Sequence, residues 1–428
     1  GWWDWRVLGL IIFSTLLDYT LSRNMTKVKL WLSLIGTLGV LGFFKYYNFF
    51  LESWIDAWGS IGVEMYASTM KIILPVGISF YTFQTLSYSI DVYRGKLKPT
   101  KDPIAFAAFV GFFPQLVAGP IERAVKLLPQ LESPRIFDFK DAVTGLRLIL
   151  WGMFKKVVVA DTCARYADAI FSDPTGYSSP ALVMGAIYFS FQIYGDFSGY
   201  SDIAIGTSRL FGIKLSTNFK FPYFSRDIAE FWRRWHISLS TWFRDYLYIP
   251  LGGSRGSKAT IFRNVAIIFL VSGLWHGANW TFVVWGGVHA ILFIPLILTG
   301  ANRTHTSDVV AQGRTLPSFK EICQISLTFA MVTLAWVFFR ADSIDHAFQY
   351  LGGIFAFNFN AEPHHFVLIA IAFMGIIVLV DWLSRTGEIP KWWLTKRMTP
   401  VRWAAYSIAV LLILKNLQNG SSFIYFQF

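Results

Sequence analysis

The sequence predicts an all-α protein whose helices cross a membrane many times. Hydrophobic residues make up 54% of the 428 positions and charged residues only 15%, whereas about a quarter of the residues in soluble proteins are charged. The mean hydropathy is +0.46. Apolar runs near the roughly 20 residues that a spanning helix needs recur along the whole chain. We predict about ten or eleven membrane segments in a single transmembrane domain over residues 1–428.

Some of these segments are interrupted by residues that break helices. Pro75 and Gly77 interrupt one apolar run, and Pro114 and Gly119 interrupt the next. Irregular backbone at membrane depth is tolerated only where protein buries it or where it lines a cavity. We therefore expect broken or re-entrant segments around a buried chamber.

The net charge of +12 is concentrated in one part of the chain. Between Arg209 and Arg263 there are ten Lys or Arg residues and three acidic ones. Short basic loops stay on the cytoplasmic side of a membrane, so we place this region there. A nucleic-acid partner is not expected, because no nucleic-acid-binding motif accompanies these arginines. The two cysteines, Cys163 and Cys323, are too few for a disulfide framework.

The most informative stretch is residues 227–250, DIAEFWRRWHISLSTWFRDYLYIP. Its apolar residues recur at i, i+3, i+4 and i+7 and predict one continuous helix. Asp227 followed by Glu230 predicts an N-cap with its capping-box partner, and Pro250 ends the element. Three arginines, Arg233, Arg234 and Arg244, stand opposite the aromatic stripe.

Two histidines stand out from the seven in the chain. His236 lies at the margin of the aromatic stripe, and His276 directly follows the apolar run IIFLVSGLW. An imidazole in such surroundings is costly to bury unless it has a partner or a function. Forty residues separate the two, so the sequence leaves open whether they meet.

Two blocks of sequence, FWRRWHISLSTWFRDYLYIPLGGSRG and SGLWHGANW, resemble the signature blocks of the membrane-bound O-acyltransferases. The match is to the bacterial branch that contains the alginate O-acetylation membrane subunit, and it covers nearly the whole chain. In that family the histidine matching His276 is catalytic, and the residue matching His236 is the second signature polar residue. Members begin with a further hydrophobic helix, so the natural first span is expected to be missing here.

The resemblance implies a multi-pass protein of the bacterial inner membrane. It would take an acetyl group from cytoplasmic acetyl-CoA and work with an extracytoplasmic transferase, often of the SGNH type, that acetylates a polysaccharide. The same fold also supports D-alanyl or peptidoglycan acyl transfer. A non-catalytic transporter or a scaffold for the extracytoplasmic enzyme is a further alternative.

Acyl transfer from a thioester needs a general base and donors for the developing oxyanion. His276 is the predicted base, because a neutral imidazole accepts a proton near neutral pH. Trp275 and Asn279 flank it with side-chain N–H groups. His236 is expected to orient the acyl donor, to assist His276 or to pack at the helix edge, and packing and function are equally supported for His289.

The remaining charged residues have competing interpretations. Four arginines suit the phosphates of coenzyme A and anionic lipid headgroups equally: Arg233, Arg234, Arg244 and Arg255. Asp196 is a chamber candidate, although a structural role in a polar seam with Asp202 is favoured. Three cations in one apolar segment are expected to reach the headgroups: Arg147, Lys155 and Lys156. No metal site is predicted, since neither HxH nor HExxH occurs.

Overall fold

The computed structural model describes residues 5–359, 367–387, 391–417, 420, 423 and 424. Within these ranges the regular structure is helical and no strand occurs. Contacts divide the chain into two compact units. The first comprises Gly1–Val143, Thr207–Ser216 and Gly277–Asn279, and the second comprises Thr144–Gly206, Thr217–His276 and Trp280–Phe428. A single domain over residues 1–428 stays a prediction.

The first unit contains seven helices within the described residues, and its most buried element is the fourth. Nearly every side chain of that helix is enclosed. The buried Asp18 carboxylate accepts hydrogen bonds from the hydroxyls of Ser33, Thr37 and Ser89. The helices are α1 (Trp5–Ser22), α2 (Lys27–Leu41), α3 (Tyr47–Gly59), α4 (Ile78–Tyr93), α5 (Pro103–Val110), α6 (Phe113–Leu116) and α7 (Ala124–Glu132), with a π-helical turn at Gly42–Tyr46 between α2 and α3.

The interruptions predicted from proline and glycine are present in this unit. Gly77 has a φ of +76° and precedes the first residue of α4. A side chain at Gly77 would overlap the Leu116 carbonyl, so glycine is required there for both reasons. The following apolar run is also broken. Helix α5 ends at Val110, and the short helix α6, which contains Pro114, begins at Phe113 and ends before Gly119.

The second unit carries the first signature block and the part of the second block that ends at His276. Its core is rich in aromatic side chains, among them the fully buried Trp285 and Trp336. The helices, of which the first and third extend beyond the unit, are α8 (Phe139–Met153), α9 (Asp161–Ser172), α10 (Ser179–Leu210), α11 (Ile228–Arg234), α12 (Ile237–Phe243), α13 (Lys258–His276), α14 (Trp280–Leu292), α15 (Ile294–Thr299), α16 (Phe319–Arg340), α17 (Ile344–Phe355), α18 (Leu368–Ser384) and α19 (Thr399–Asn416).

Five helical segments in the described part of the chain are long and apolar enough to cross a membrane: Lys27–Gly59, Lys258–His276, Trp280–Thr299, Phe319–Arg340 and Lys396–Asn416. Two shorter apolar helices are Leu8–Ser22 and Leu368–Ser384. The helical class is therefore as predicted. The larger number of ten or eleven membrane segments stays a prediction.

The prediction of one continuous helix over residues 227–250 is wrong. The helix breaks after Arg234, and His236 adopts the left-handed conformation with a φ of +44°. Apolar spacing could not reveal the break, because its cause lies in the preceding loop. There, Lys220 donates its N–H to the Arg234 carbonyl, and the Asn218 carbonyl accepts the N–H of Ile237.

The start of this element is partly as predicted. The Asp227 side chain accepts the N–H of Glu230 at 2.7 Å, as an N-cap does. The Glu230 carboxylate does not complete the capping box. It accepts instead from the backbone N–H and the guanidinium of Arg226, at 2.8 and 3.0 Å.

Helices α13 and α14 pack closely because glycine occupies their contact. A methyl group at Gly273 would overlap the Phe282 carbonyl, and one at Gly286 would overlap the Phe269 carbonyl. Neither obstacle is a flexible side-chain end that could move aside. The contact therefore requires glycine on both helices and fixes their relative position.

We expect Gly286→Ala to destabilise the protein by about 1–3 kcal/mol, because the new methyl group forces the helix backbones apart. Thermal unfolding of the purified protein in detergent measures the effect. Gly287→Ala is the matched control, since a methyl group there meets only the end of Leu270, at 4.0 Å. Equal melting temperatures for the two variants would contradict the tight contact.

Candidate active site

His276 is the last residue of α13, and its side chain is 7% exposed. Its ring contacts Trp285 with centroids 5.2 Å apart and Phe339 with centroids 5.4 Å apart, both close to edge-to-face. The imidazole thus lies in an aromatic pocket built from α13, α14 and α16. Such surroundings exclude water and strengthen any electrostatic interaction made inside them.

His236 lies at the break between α11 and α12 and is fully buried. Its ring meets Phe197 of α10 edge-to-face at 4.6 Å, and its Nδ1 lies 3.2 Å from Asn218 Oδ1. Burial lowers the pKa of His236 to about 3. The side chain is consequently neutral at physiological pH.

The structure brings the two histidines together. The ring centroids of His236 and His276 are 6.4 Å apart, and the Trp275 ring contacts both, at 6.0 and 5.0 Å. The question that the sequence left open is thereby answered. We call the group of ring side chains formed by His236, His276, Trp275 and Trp285 the histidine chamber.

His289, on α14, is the third histidine near this chamber. It is fully buried, and its Nδ1 accepts the indole N–H of Trp232 at 3.3 Å. Trp285 contacts the rings of both His289 and His276, at 5.0 and 5.2 Å. The sequence analysis missed Trp285, although its position four residues before His289 places the two on one face of α14.

The other chamber candidates have different surroundings. The Asp196 carboxylate pairs with Lys156 at 3.1 Å and accepts the backbone N–H of Ile424 at 2.6 Å. Asn279 falls in the segment Gly277–Asn279, which groups with the first unit.

The expectation that Lys155 reaches the headgroups is wrong. Its side chain is buried, pairs with Asp202 at 2.7 Å and donates to Ser198 at 2.8 Å. Lys156 is likewise engaged, because it pairs with Asp161 at 2.6 Å. Carboxylates on neighbouring helices satisfy these ammonium groups inside the protein, so they do not need the headgroups.

Arg233 and Arg234 fasten α11 to the loop that follows α15. Arg233 donates to the carbonyls of Asn302 and His305 at 3.1 and 3.2 Å. Arg234 donates to the Asp308 carbonyl at 3.0 Å and pairs with Glu230 at 2.8 Å. Both guanidinium groups are therefore already hydrogen-bonded to acceptors within the protein.

A buried ion-pair cluster completes this attachment. The guanidinium of Arg226 pairs with Glu230 at 3.0 Å and with Asp308 at 2.8 Å. Burial raises the pKa of Asp308, but hydrogen bonds from His305 and Arg226 outweigh that effect and hold this pKa below its usual range. We call Arg226, Glu230, Arg234 and Asp308 the arginine clamp.

A separate cavity of about 440 Å³ follows α12, and Arg244, Arg255 and Arg303 supply its positive charge. The hydroxyls of Tyr248 and Ser254 are 2.9 Å apart beside it. The remaining lining residues are Ile249, Gly252 and Gly253. Of the four arginines predicted to bind coenzyme A, Arg244 and Arg255 line this cavity, and the Arg244 side chain also pairs with Asp245 at 2.7 Å.

Across the described ranges, no three His, Cys, Asp or Glu side chains lie close enough to hold a metal ion. The arrangement around His276 instead suits proton transfer in a water-poor site. A neutral imidazole, a second imidazole beside it and aromatic walls are the components that general-base catalysis uses.

Comparison with known proteins agrees with this chemistry. The sequence profile of the family described as "MBOAT, membrane-bound O-acyltransferase family" matches residues 98–334 of this chain. The chain is 41% identical over 369 residues to the "Probable alginate O-acetylase AlgI" of Azotobacter vinelandii, covering 84% of this chain and 70% of that protein. It is 36% identical over 392 residues to the "Peptidoglycan O-acetyltransferase" of Helicobacter pylori, covering 84% and 72%.

A more distant relative is the "Teichoic acid D-alanyltransferase" of Streptococcus thermophilus, 31% identical over 296 residues, covering 63% of this chain and 69% of that protein. The chain therefore belongs to the membrane-bound O-acyltransferase family, and it is a membrane-embedded O-acyltransferase. Its similarity to the alginate O-acetylases over most of its length makes it an AlgI-like member. The resemblance of the two signature blocks is thus confirmed.

We expect Glu230→Gln to destabilise the protein by about 3 kcal/mol, because it removes the buried carboxylate that pairs with Arg226 at 3.0 Å. The guanidinium of Arg226 then keeps Asp308 at 2.8 Å and the more distant Glu321 at 3.9 Å. Asp245→Asn is the matched control. It breaks the pair with Arg244, whose side chain is 58% exposed, and should cost at most about 1 kcal/mol. Thermal unfolding in detergent compares the variants, and equal losses would show that the arginine clamp is not a structural anchor.

Proposed function

We propose that this chain passes an acetyl group from cytoplasmic acetyl-CoA across the bacterial inner membrane for O-acetylation of a cell-envelope polysaccharide. The observation that carries the proposal is the pairing of His236 and His276 inside buried aromatic walls, at 6.4 Å between ring centroids. Both histidines come from the blocks that resemble the family signatures. His276 is the proposed catalytic base.

The proposed reaction exchanges a thioester for an ester. His276 accepts the proton of an acceptor hydroxyl while that oxygen attacks the acetyl carbonyl carbon. The carbon–sulfur bond then breaks, and the proton passes to the thiolate that leaves. N–H groups near the carbonyl oxygen stabilise the negative charge that gathers there, and Trp275 is the proposed donor within the second unit.

The cavity lined by Arg244, Arg255 and Arg303 is the proposed site for the phosphates of acetyl-CoA. Guanidinium groups bind phosphate oxygens in pairs. Arg255 and Arg303 are exposed and so accessible to a soluble donor. Arg233 and Arg234 are weaker candidates for this role, because protein carbonyls and Glu230 already occupy them.

The proposed acceptor of the acetyl group is inferred from the names of the similar proteins. Several carry the name "Probable alginate O-acetylase AlgI", which supports a polysaccharide as the final acceptor. An SGNH-type extracytoplasmic transferase is the proposed partner. The peptidoglycan and teichoic acid enzymes make other acceptors and a D-alanyl group the alternatives.

We expect membranes that contain the chain and its partner transferase to transfer radiolabelled acetyl from acetyl-CoA to the glycan fraction. His276→Ala should reduce this transfer at least a hundredfold, the lower range for losing a general base. Scintillation counting of the washed glycan measures it, with protein abundance and partner binding determined on the same membranes.

His346→Ala is the matched control, because His346 is another partly buried histidine whose ring nitrogen lies 3.4 Å from the Asp342 backbone nitrogen. It should retain wild-type transfer. Undiminished transfer by an assembled His276→Ala protein would contradict the catalytic role of His276. Label recovered on His276 after a denaturing quench would replace the general-base mechanism by an acyl-histidine intermediate.

We expect Arg255→Gln to raise the KM for acetyl-CoA roughly tenfold with little change in kcat, because a charge-assisted phosphate contact is worth about 1.5–3 kcal/mol. Arg165→Gln, at an exposed arginine that does not line the cavity, should leave KM unchanged. Initial rates at varied acetyl-CoA give both constants. An unchanged KM in Arg255→Gln would show that the phosphates of acetyl-CoA do not bind in this cavity.

A further inference from the structure

Three buried polar atoms at the histidine chamber have no hydrogen-bond partner among the described residues. They are Nε2 of His236, Nε1 of Trp285 and Nε2 of His289. Buried polar groups in proteins are almost always paired, so several exceptions around one point call for an explanation. A substrate that enters the chamber would supply the missing partners.

The protonation of His236 follows from its contact with Asn218. The Oδ1 of Asn218 accepts the backbone N–H of Ser238 at 3.2 Å and the Ser238 hydroxyl at 2.9 Å. A backbone N–H can only donate, so the oxygen and not the amide nitrogen of Asn218 faces that side. The Nδ1 of His236, 3.2 Å from the same oxygen, must then carry the proton.

The neutral His236 ring has only one proton, so its Nε2 bears a lone pair. The Nδ2 of Asn218 also reaches the hydroxyl of Ser201 at 3.3 Å. This second contact helps to hold the amide in the same orientation. The buried amide therefore determines which ring nitrogen of His236 is the acceptor.

His289 has the opposite arrangement. The indole nitrogen of Trp232 is a donor only, so Nδ1 of His289 must be the unprotonated nitrogen that accepts it. The proton of His289 lies on Nε2 as a result. His236 and His289 are both buried, and each contacts a neighbour of His276. At Nε2, His236 presents a lone pair, whereas His289 presents an N–H.

We propose that Asn218 and Trp232 hold His236 and His289 in opposite tautomers, so that Nε2 of His236 accepts, and Nε2–H of His289 donates, a hydrogen bond to the reacting groups. The proposal rests on the acyl transfer described under Proposed function. Asn218 and Trp232 are positioning residues in it, because they act through the histidines.

The two tautomers suit the two needs of acyl transfer. A lone pair on His236 can receive a hydrogen bond from the hydroxyl or from a protonated His276. An N–H on His289, together with that of Trp285, can face an oxygen that gains negative charge. If both rings had the same tautomer, one of these two functions would be lost.

The direct test is ¹⁵N NMR of the full chain, labelled at histidine and reconstituted in lipid nanodiscs. An unprotonated ring nitrogen resonates far downfield of a protonated one, and His236→Gln and His289→Gln assign the signals by their disappearance. We expect a protonated Nδ1 in His236 and a protonated Nε2 in His289. Finding the same tautomer in both would overturn the proposal.

Two variants test the positioning residues. Trp232→Phe keeps an aromatic ring but removes the indole N–H, and should populate the Nδ1–H tautomer of His289. Trp242→Phe is the matched control at a buried tryptophan whose ring neighbours are Phe243 and Tyr246. An unchanged His289 spectrum in Trp232→Phe would refute the role of Trp232.

Asn218→Asp keeps the acceptor oxygen and adds a negative charge beside Nδ1–H, which favours the protonated imidazolium. Among the described residues, the titratable group in ring contact with His236 is His276, and the other ring contacts of His236 are Phe197, Phe219 and Trp275. We expect the acid limb of the rate profile to move to higher pH in this variant. Asn218→Leu should instead lower kcat without that shift, and identical profiles for both would contradict positioning.

Ser238→Ala is the control for these variants, since it removes one donor to Asn218 but leaves the contact with His236. It should preserve the His236 tautomer and the pH profile.

The NMR spectra do not depend on the activity of the protein. Tautomers found as proposed in a protein that transfers no acetyl would therefore overturn the proposed function alone, whereas equal tautomers in an active enzyme would overturn only this inference.

Discussion

The interruption of the helix at His236 is the constraint on which the chamber depends. A left-handed residue other than glycine costs about 1–2 kcal/mol, so it needs compensation from its surroundings. Asn218 supplies it with its backbone carbonyl, which accepts from Ile237, and with its side-chain oxygen, which accepts from Ser238 and faces His236. The same residue therefore stabilises the unusual backbone and orients the imidazole that this backbone presents. Position and protonation of His236 have a single structural cause.

The second wall of the chamber is a pair of closely packed helices. Gly273 and Gly286 permit the backbones of α13 and α14 to touch, and His276, Trp285 and His289 lie within one or two turns of that contact. Because carbonyl groups, and not flexible side chains, form the contact, sliding one helix along the other would create overlaps immediately. The spacing of the three rings is thus set by backbone geometry. The arginine clamp performs a similar task for α11, whose arginines anchor it to the loop after α15.

The sequence was sufficient for the helical class, the apolar segments, the N-cap at Asp227 and the two blocks that carry the histidines. These features are local, since spacing and capping operate within a few residues. It was not sufficient for the break at His236, which depends on Asn218, 18 residues earlier. Nor could it show that Lys155 meets Asp202, or that Arg233 and Arg234 bind carbonyls while Arg303 lines the cavity with Arg244. Each of these is a contact between distant parts of the chain, which periodicity does not report.

The aromatic walls around His276 have a consequence for energy conservation in the cell. An activated acyl group is thermodynamically unstable in water, and an imidazole that serves as the proposed base for an acceptor hydroxyl would activate a water molecule equally well. Trp275, Trp285 and Phe339 leave His276 only 7% exposed, so few water molecules can reach it. The rings would therefore suppress hydrolysis of the activated acyl group. A larger fraction of these groups would be transferred to form an ester, and a smaller fraction would be released as free acid.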